Sequence, residues 1–129
     1  MRDMPVGKYQ ELVAWQIAME LVLAVYELSA RLPQHEIYAL ASQLRRAAVS
    51  IPANIAEGHA RRSKKEYLQF VSVALGSLAE LETELTITLS VGYATNETLQ
   101  ECFKQTQAVG RHLRGLERWL AVATQSRKC

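Results

Sequence analysis

Proline and glycine are scarce in this 129-residue chain, at three and six residues. So few turn-formers leave most of the length to a few long elements, and long elements here mean helices. Cysteine is scarcer still. Cys102 and Cys129 are too few and wrongly spaced for a disulfide framework. Cys102 falls at an apolar helical position and reads as a buried thiol, and Cys129 reads as a loose chain end. Met1-Arg2-Asp3-Met4-Pro5 has no apolar stretch suited to a signal peptide. The longest apolar run, Leu21 to Tyr26, is six residues, against the roughly 20 a membrane helix needs. A cytoplasmic protein without a membrane partner is expected. Strand-like alternation, internal repeats and low-complexity tracts are absent too.

Several catalytic patterns are also missing. Di-iron bundles use Glu-x-x-His pairs on facing helices, but Leu32, Ala56 and Val109 stand three residues before His35, His59 and His112. No His-x-x-x-His or Cys-x-x-Cys suits zinc, and there is no Gly-rich phosphate loop or Gly-x-Ser-x-Gly elbow. No metal or cofactor is expected. Glu80, Glu82 and Glu84 do cluster, with Glu80 and Glu84 on one side of a helix. Paired carboxylates in a cleft can do acid–base work, because repulsion raises one pKa. On a helix surface such a run is more often a solvated or partner-facing side. An enzyme is not expected.

What remains is helical periodicity. Hydrophobic residues make up 49% and charged residues 22%, which is globular composition, and 129 residues is the length of one domain. The 3-4 spacing of Leu12, Trp15, Met19, Val22 and Tyr26 predicts a first helix over about 9–30, ended by Pro33. Ile17, Leu21, Ala24 and Leu28 widen its stripe to two sides. Ile37, Leu40, Leu44, Ala47 and Ile51 predict a second over about 35–58. Pro52 inside it predicts a kink, with Ser50 capping the restarted turn and Gly58 closing the helix in left-handed geometry. Ser63-Lys64-Lys65-Glu66 is a capping box that opens a third helix over about 64–91, closed by Gly92. Thr95 or Asn96 can cap a fourth over about 96–124, where Leu99, Cys102, Thr106, Val109, Leu113, Leu116, Leu120 and Ala123 repeat in heptads. Short linkers then give an all-α, antiparallel up-down-up-down four-helix bundle.

Charge is sorted along this plan. Residues 1–42 hold three basic and five acidic groups. Residues 43–65 hold Arg45, Arg46, Arg61, Arg62, Lys64 and Lys65 against Glu57 alone. Residues 66–101 hold six glutamates and no lysine or arginine. Residues 102–129 hold Lys104, Arg111, Arg114, Arg118, Arg127 and Lys128 against Glu117. Basic loops and stripes of this sort neutralise phosphates with release of counterions, without base-specific contacts. Two other uses compete. In a bundle the acidic third helix neighbours two others, so the arginines can pair with its glutamates, each exposed pair worth about 0–1 kcal/mol. Opposed acidic and basic sides also suit head-to-tail self-association. Aromatics, at 7%, are too few and too often at core positions to offer a stacking platform.

Leu12-Val13-Ala14-Trp15, Leu32-Pro33 with Glu36, Gln43-Leu44-Arg45-Arg46-Ala47-Ala48, Ser50-Ile51-Pro52-Ala53-Asn54-Ile55-Ala56-Glu57-Gly58 and Ala74-Leu75-Gly76-Ser77-Leu78-Ala79-Glu80-Leu81-Glu82 carry a resemblance. Over roughly residues 10–120 the chain resembles the four-helix-bundle proteins of bacterial large-subunit ribosomal RNA intervening sequences. The resemblance implies closed homo-oligomers, commonly a barrel-like pentamer. It extends in fold to the accessory variability proteins of diversity-generating retroelements, whose basic surface holds nucleic acid and a reverse transcriptase. It supplies no established activity for most members. Read physically, Ser50 and Asn54 lie one turn apart and can occupy backbone groups freed by Pro52, with Gln43, Ser77 and Glu80 as further partners. Gly76 permits close helix approach at about 1 kcal/mol relative to Ala. Structural roles are expected for this set, because unpaired buried polar groups cost about 1–3 kcal/mol each and so fix register. The expected nucleic-acid contacts are Arg45, Arg46, Arg61, Arg62, Lys64, Lys65, Arg111, Arg114 and Arg118, on RNA or RNA–DNA. A scaffold that binds a protein partner or only its own copies is the alternative.

Overall fold

The computed structural model describes residues 8–126. Arg2, Asp3 and the rest of Met1–Pro5, together with Arg127, Lys128 and Cys129, lie outside the described residues. A 3-10 turn at Tyr9–Glu11 precedes four helices: α1, Val13–Ser29; α2, Leu40–His59; α3, Lys64–Ser90; and α4, Asn96–Ser126. No strand occurs among the described residues. No helix there is long and apolar enough to cross a membrane.

The helices pack in a ring. α1 neighbours α2, α2 neighbours α3, α3 neighbours α4 and α4 returns to α1. Ser50 meets Ser77, and Gly58 meets Tyr67 and Phe70, so positions climb on α2 as they fall on α3. Gly110 against Leu78 and Trp119 against Lys64 run in the same opposed order for α4 and α3. Leu21, Leu44, Ile51, Ile55, Leu78, Leu81, Leu85, Leu99, Leu113 and Leu120 are fully buried. Each contributes about 1.5–3 kcal/mol through removal of its side chain from water.

Two starts differ from the sequence expectation. α1 begins at Val13, not near residue 9, because Leu12 is extended, with φ −73° and ψ 128°. α2 begins at Leu40, not His35. Gln34–Glu36 forms a 3-10 turn, and Ala39 is non-helical with φ −119° and ψ −104°. Glu36 caps the new start: its Oε1 accepts the Leu40 amide at 3.3 Å, and its Oε2 accepts the Tyr93 hydroxyl at 2.8 Å. Those two bonds, the tyrosine's first, hold the Glu36 carboxyl below the usual carboxylate range and tie the α1–α2 linker to the α3–α4 linker. The buried side of α1 is also shifted. Ala14, Ala18, Leu21, Val22, Val25 and Leu28 face the core, while Trp15 and Met19 are half-buried and Tyr26 is exposed.

The remaining helix ends follow local chemistry. Ser63 accepts the Glu66 amide at 3.1 Å, and its hydroxyl meets the Glu66 carboxylate at 3.4 Å. Gly92 takes φ +83°, while the Tyr93 amide reaches the Thr88 carbonyl at 3.1 Å. Thr95 accepts the Thr98 amide at 3.2 Å and caps α4.

Two glycines depart from their expected roles. Gly58 is not a left-handed closer; it lies buried within α2, and a Cβ there would sit 2.7 Å from the Phe70 Cβ. Gly76 permits no close approach, since a Cβ would meet nothing within 4 Å. Gly58→Ala should therefore destabilise the protein by about 1–3 kcal/mol through overpacking. Gly76→Ala should stabilise it by up to about 1 kcal/mol through helix propensity. Chemical denaturation of both variants tests the assignment, and equal effects of one sign would refute it.

Candidate nucleic-acid interface

The α2–α3 turn gathers one group of cations. Gly58 brings the end of α2 against Tyr67 and Phe70. The chain reverses within a few residues, with the Arg61 amide bonded to the Gly58 carbonyl at 3.0 Å. Arg61 is held on both sides, by Glu57 at 2.8 Å and by the Phe70 ring 4.7 Å from its guanidinium carbon. The Lys64 ammonium lies 5.0 Å from the centroid of the Trp119 ring. Arg62 and Lys65 are exposed and form no ion pair among the described residues. Lys64 thus places this turn beside the C-terminal part of α4, next in sequence to Arg118.

The α4 stripe forms no ion pair with α3 among the described residues. Lys104, Arg111, Arg114 and Arg118 are exposed. The ion pairs among the described residues are Arg31–Glu27 at 3.5 Å, His35–Glu36 at 3.8 Å and Arg61–Glu57 at 2.8 Å. None joins α4 to the glutamates of α3. The expectation that those arginines pair with α3 within the protomer is therefore not met among the described residues, even though the Arg114 guanidinium folds back over Gly110, which adjoins Leu78 of α3.

Arg45 and Arg46 are not brought to this end. They lie about 15 residues from Arg61, roughly 22 Å along α2. Arg45 is taken up by α1: its Nε donates to the Ser29 hydroxyl at 2.7 Å, and its guanidinium lies 5.2 Å from the Tyr26 ring. Arg46 is exposed beside the α2–α3 groove.

That groove, about 390 Å³, is lined by Gln43, Arg46, Ala47, Ser50, Ser77 and Glu80. Much of the polar motif read from the sequence meets here. Ser50 and Ser77 share a hydrogen bond of 2.7 Å. The Asn54 amide donates to the Ser50 carbonyl at 2.7 Å and to its hydroxyl at 2.9 Å. Asn54 thus serves Ser50 and not the Ala48 carbonyl, the group left without its usual donor by Pro52. α2 runs through the buried Pro52 as one helix, so Ser50 caps no restarted turn. Glu57 belongs to the neighbouring turn through its pair with Arg61.

The acidic run of α3 is not wholly a solvated side. Glu80 is exposed, but Glu84 is only 5% exposed, and its Oε1 is buried without a hydrogen-bond partner. Burial, then hydrogen bonding and repulsion from Glu80, push the Glu84 carboxyl up to about 7, against a smaller opposing pull from Arg46. Periodicity alone placed Glu84 beside Glu80; its depth came only with the packing of α2. Among the described residues no group of three or more His, Cys, Asp or Glu is arranged to hold a metal. Cys102 is buried, and burial raises its thiol pKa.

A folded-state pKa above the unfolded value stabilises below the unfolded pKa and is lost as pH rises through the folded one. Ionisation of Glu84 should thus cost on the order of 3 kcal/mol between pH 4.5 and 7. Glu84→Gln should gain stability over the parent at pH 8 and not at pH 4. Thermal melts at the two pH values decide, and a gain that does not depend on pH would refute the buried titration.

Fold and surface together define a four-helix bundle with a polar α2–α3 seam and exposed cations along α4 and at the α2–α3 turn. The chain belongs to the 23S rRNA-intervening sequence protein family, whose pattern matches residues 10–115. It is similar in fold to a solved protein of unknown function from the S23 ribosomal protein family of Bacteroides thetaiotaomicron VPI-5482. The two are 20% identical with a TM-score of 0.77, over 82% of this chain and 96% of that one. No curated protein matches the chain.

Proposed function

We propose that this chain is a cytoplasmic, non-catalytic accessory protein that holds RNA or RNA–DNA by its phosphates and works as a homo-oligomer. The supporting observation is that Arg62, Lys65, Arg111, Arg114 and Arg118 are exposed without carboxylate partners in the described protomer. Uncompensated surface cations favour a polyanion, since each phosphate neutralised releases counterions. Arg61 and Lys64 add charge at the same turn while held by Phe70 and Trp119. Arg46 stands apart, and Arg45 is withdrawn from the contact set by Ser29 and Tyr26.

Replacement of Arg61, Arg62, Lys64 and Lys65 by Ala should weaken binding to a structured RNA. It should also reduce the slope of log affinity against log salt by about 3–4. Titrations between 50 and 200 mM salt, on the order of the range where such contacts respond, read both quantities. Affinity that is insensitive to salt, or unchanged in the variant, would falsify the reading.

A protein-interaction scaffold is the second reading, favoured by exposed apolar side chains. Leu23 is 68% and Tyr38 95% exposed. An apolar groove also runs between Trp15 and Met19 of α1 and Val49, Pro52, Ala53 and Ala56 of α2. This reading predicts purified protein with a low 260-to-280 nm absorbance ratio and no affinity for RNA. Because Glu84 is buried, Glu80→Lys is the charge reversal that reports on assembly; light scattering should show smaller particles if acidic α3 meets basic α4 of another copy.

A further inference from the structure

Trp119 is a large apolar ring left 56% exposed on α4, in the midst of cations. Trp15, the other tryptophan, is half-buried and packs edge-on against Tyr9 at 5.4 Å. Trp119 instead meets an ammonium: Lys64 of the α2–α3 turn lies 5.0 Å from its ring centroid. One helical turn earlier on the same side stands Gly115, where a Cβ would meet only the Arg118 Nη2, at 3.9 Å. The surface beside the indole is thus an open notch, with a guanidinium at one edge and an ammonium over the ring. Val122, one turn further on, is exposed as well.

We propose that Trp119 is a stacking platform for one unpaired base of single-stranded RNA or DNA, with Lys64 and Arg118 holding the flanking phosphates. The site rests on the nucleic-acid reading above and gives it a strand preference. A base presents a π face of a size suited to the indole, and stacking of this kind tolerates any sequence. An ammonium over one face of the ring suits the ring quadrupole, and cations beside the ring suit the phosphates on either side of a base stacked on the other face. Bases inside a duplex are already stacked on one another and cannot lie flat on a lone side chain. On this proposal low aromatic content is no obstacle, because one tryptophan is exposed among arginine and lysine.

The experiment compares three probes of equal length, about 12 nucleotides within the site sizes of such proteins: single-stranded oligoadenylate, the same strand with abasic sites, and a duplex. Each is titrated against the full chain, Trp119→Ala and Gly115→Leu by fluorescence anisotropy at one low salt concentration. Both substitutions lie on the exposed side of α4, and Leu is favoured over Gly in a helix. Trp119→Ala should lose about 10-fold in affinity for oligoadenylate and little for the abasic strand or duplex. Gly115→Leu, which fills the notch and changes no charge, should show the same selective loss. Indole emission in a Trp15→Phe background should be quenched by oligoadenylate and not by the abasic strand. Equal losses for all three probes, or none, would overturn the platform while leaving phosphate binding intact. No binding of any probe by the unaltered protein would overturn both readings.

Discussion

The contact between Gly58 and the pair Tyr67 and Phe70 controls the geometry of the functional end. A Cβ at Gly58 would overlap the Phe70 Cβ at 2.7 Å, so only glycine lets α2 and α3 close there. Because they close, the chain reverses within residues 60–63, and Arg61, Arg62, Lys64 and Lys65 crowd onto one turn. The same closure continues along the seam to the Ser50–Ser77 hydrogen bond. A slip in register would break this part-buried hydrogen bond, so the pair favours the observed alignment of α2 and α3.

A second constraint follows from where the charges end up. α3 has glutamates and no basic residue beyond its first turn, and α4 has a basic stripe, yet the two adjoining helices do not neutralise one another. Exposed ion pairs contribute little when formed, so an unpaired cation costs the fold almost nothing. The result is a surface with separate positive and negative regions, which acts on polyanions and on other charged surfaces at a distance of about a Debye length. Glu84 is the exception. Buried and beside Glu80, its carboxyl is pushed up to about 7, so its charge changes near neutral pH.

Helix number, type and most boundaries were legible in the sequence, because long 3-4 patterns and side-chain caps are local. The capping box at Ser63 and the left-handed Gly92 needed no tertiary information. The start of α2 was not legible: Ile37 continues the apolar stripe, but Glu36 is bound by Tyr93 from 57 residues away and sets the helix start at Leu40. The glycines were misread for a related reason. A glycine has no side chain to reveal whether it serves a turn, a close approach or neither, and only the facing helix separates Gly58 from Gly76.

Composition and periodicity alone determined that this chain is an all-α bundle with sorted charge, since hydrophobic spacing and charge counts belong to the linear order of residues. The tertiary structure decided which cations remain unpaired, which glutamate is buried and which tryptophan is left in water beside a lysine from another helix. Those outcomes depend on which helix faces which and at what register, and burial and charge pairing exist only once separate segments share the same space.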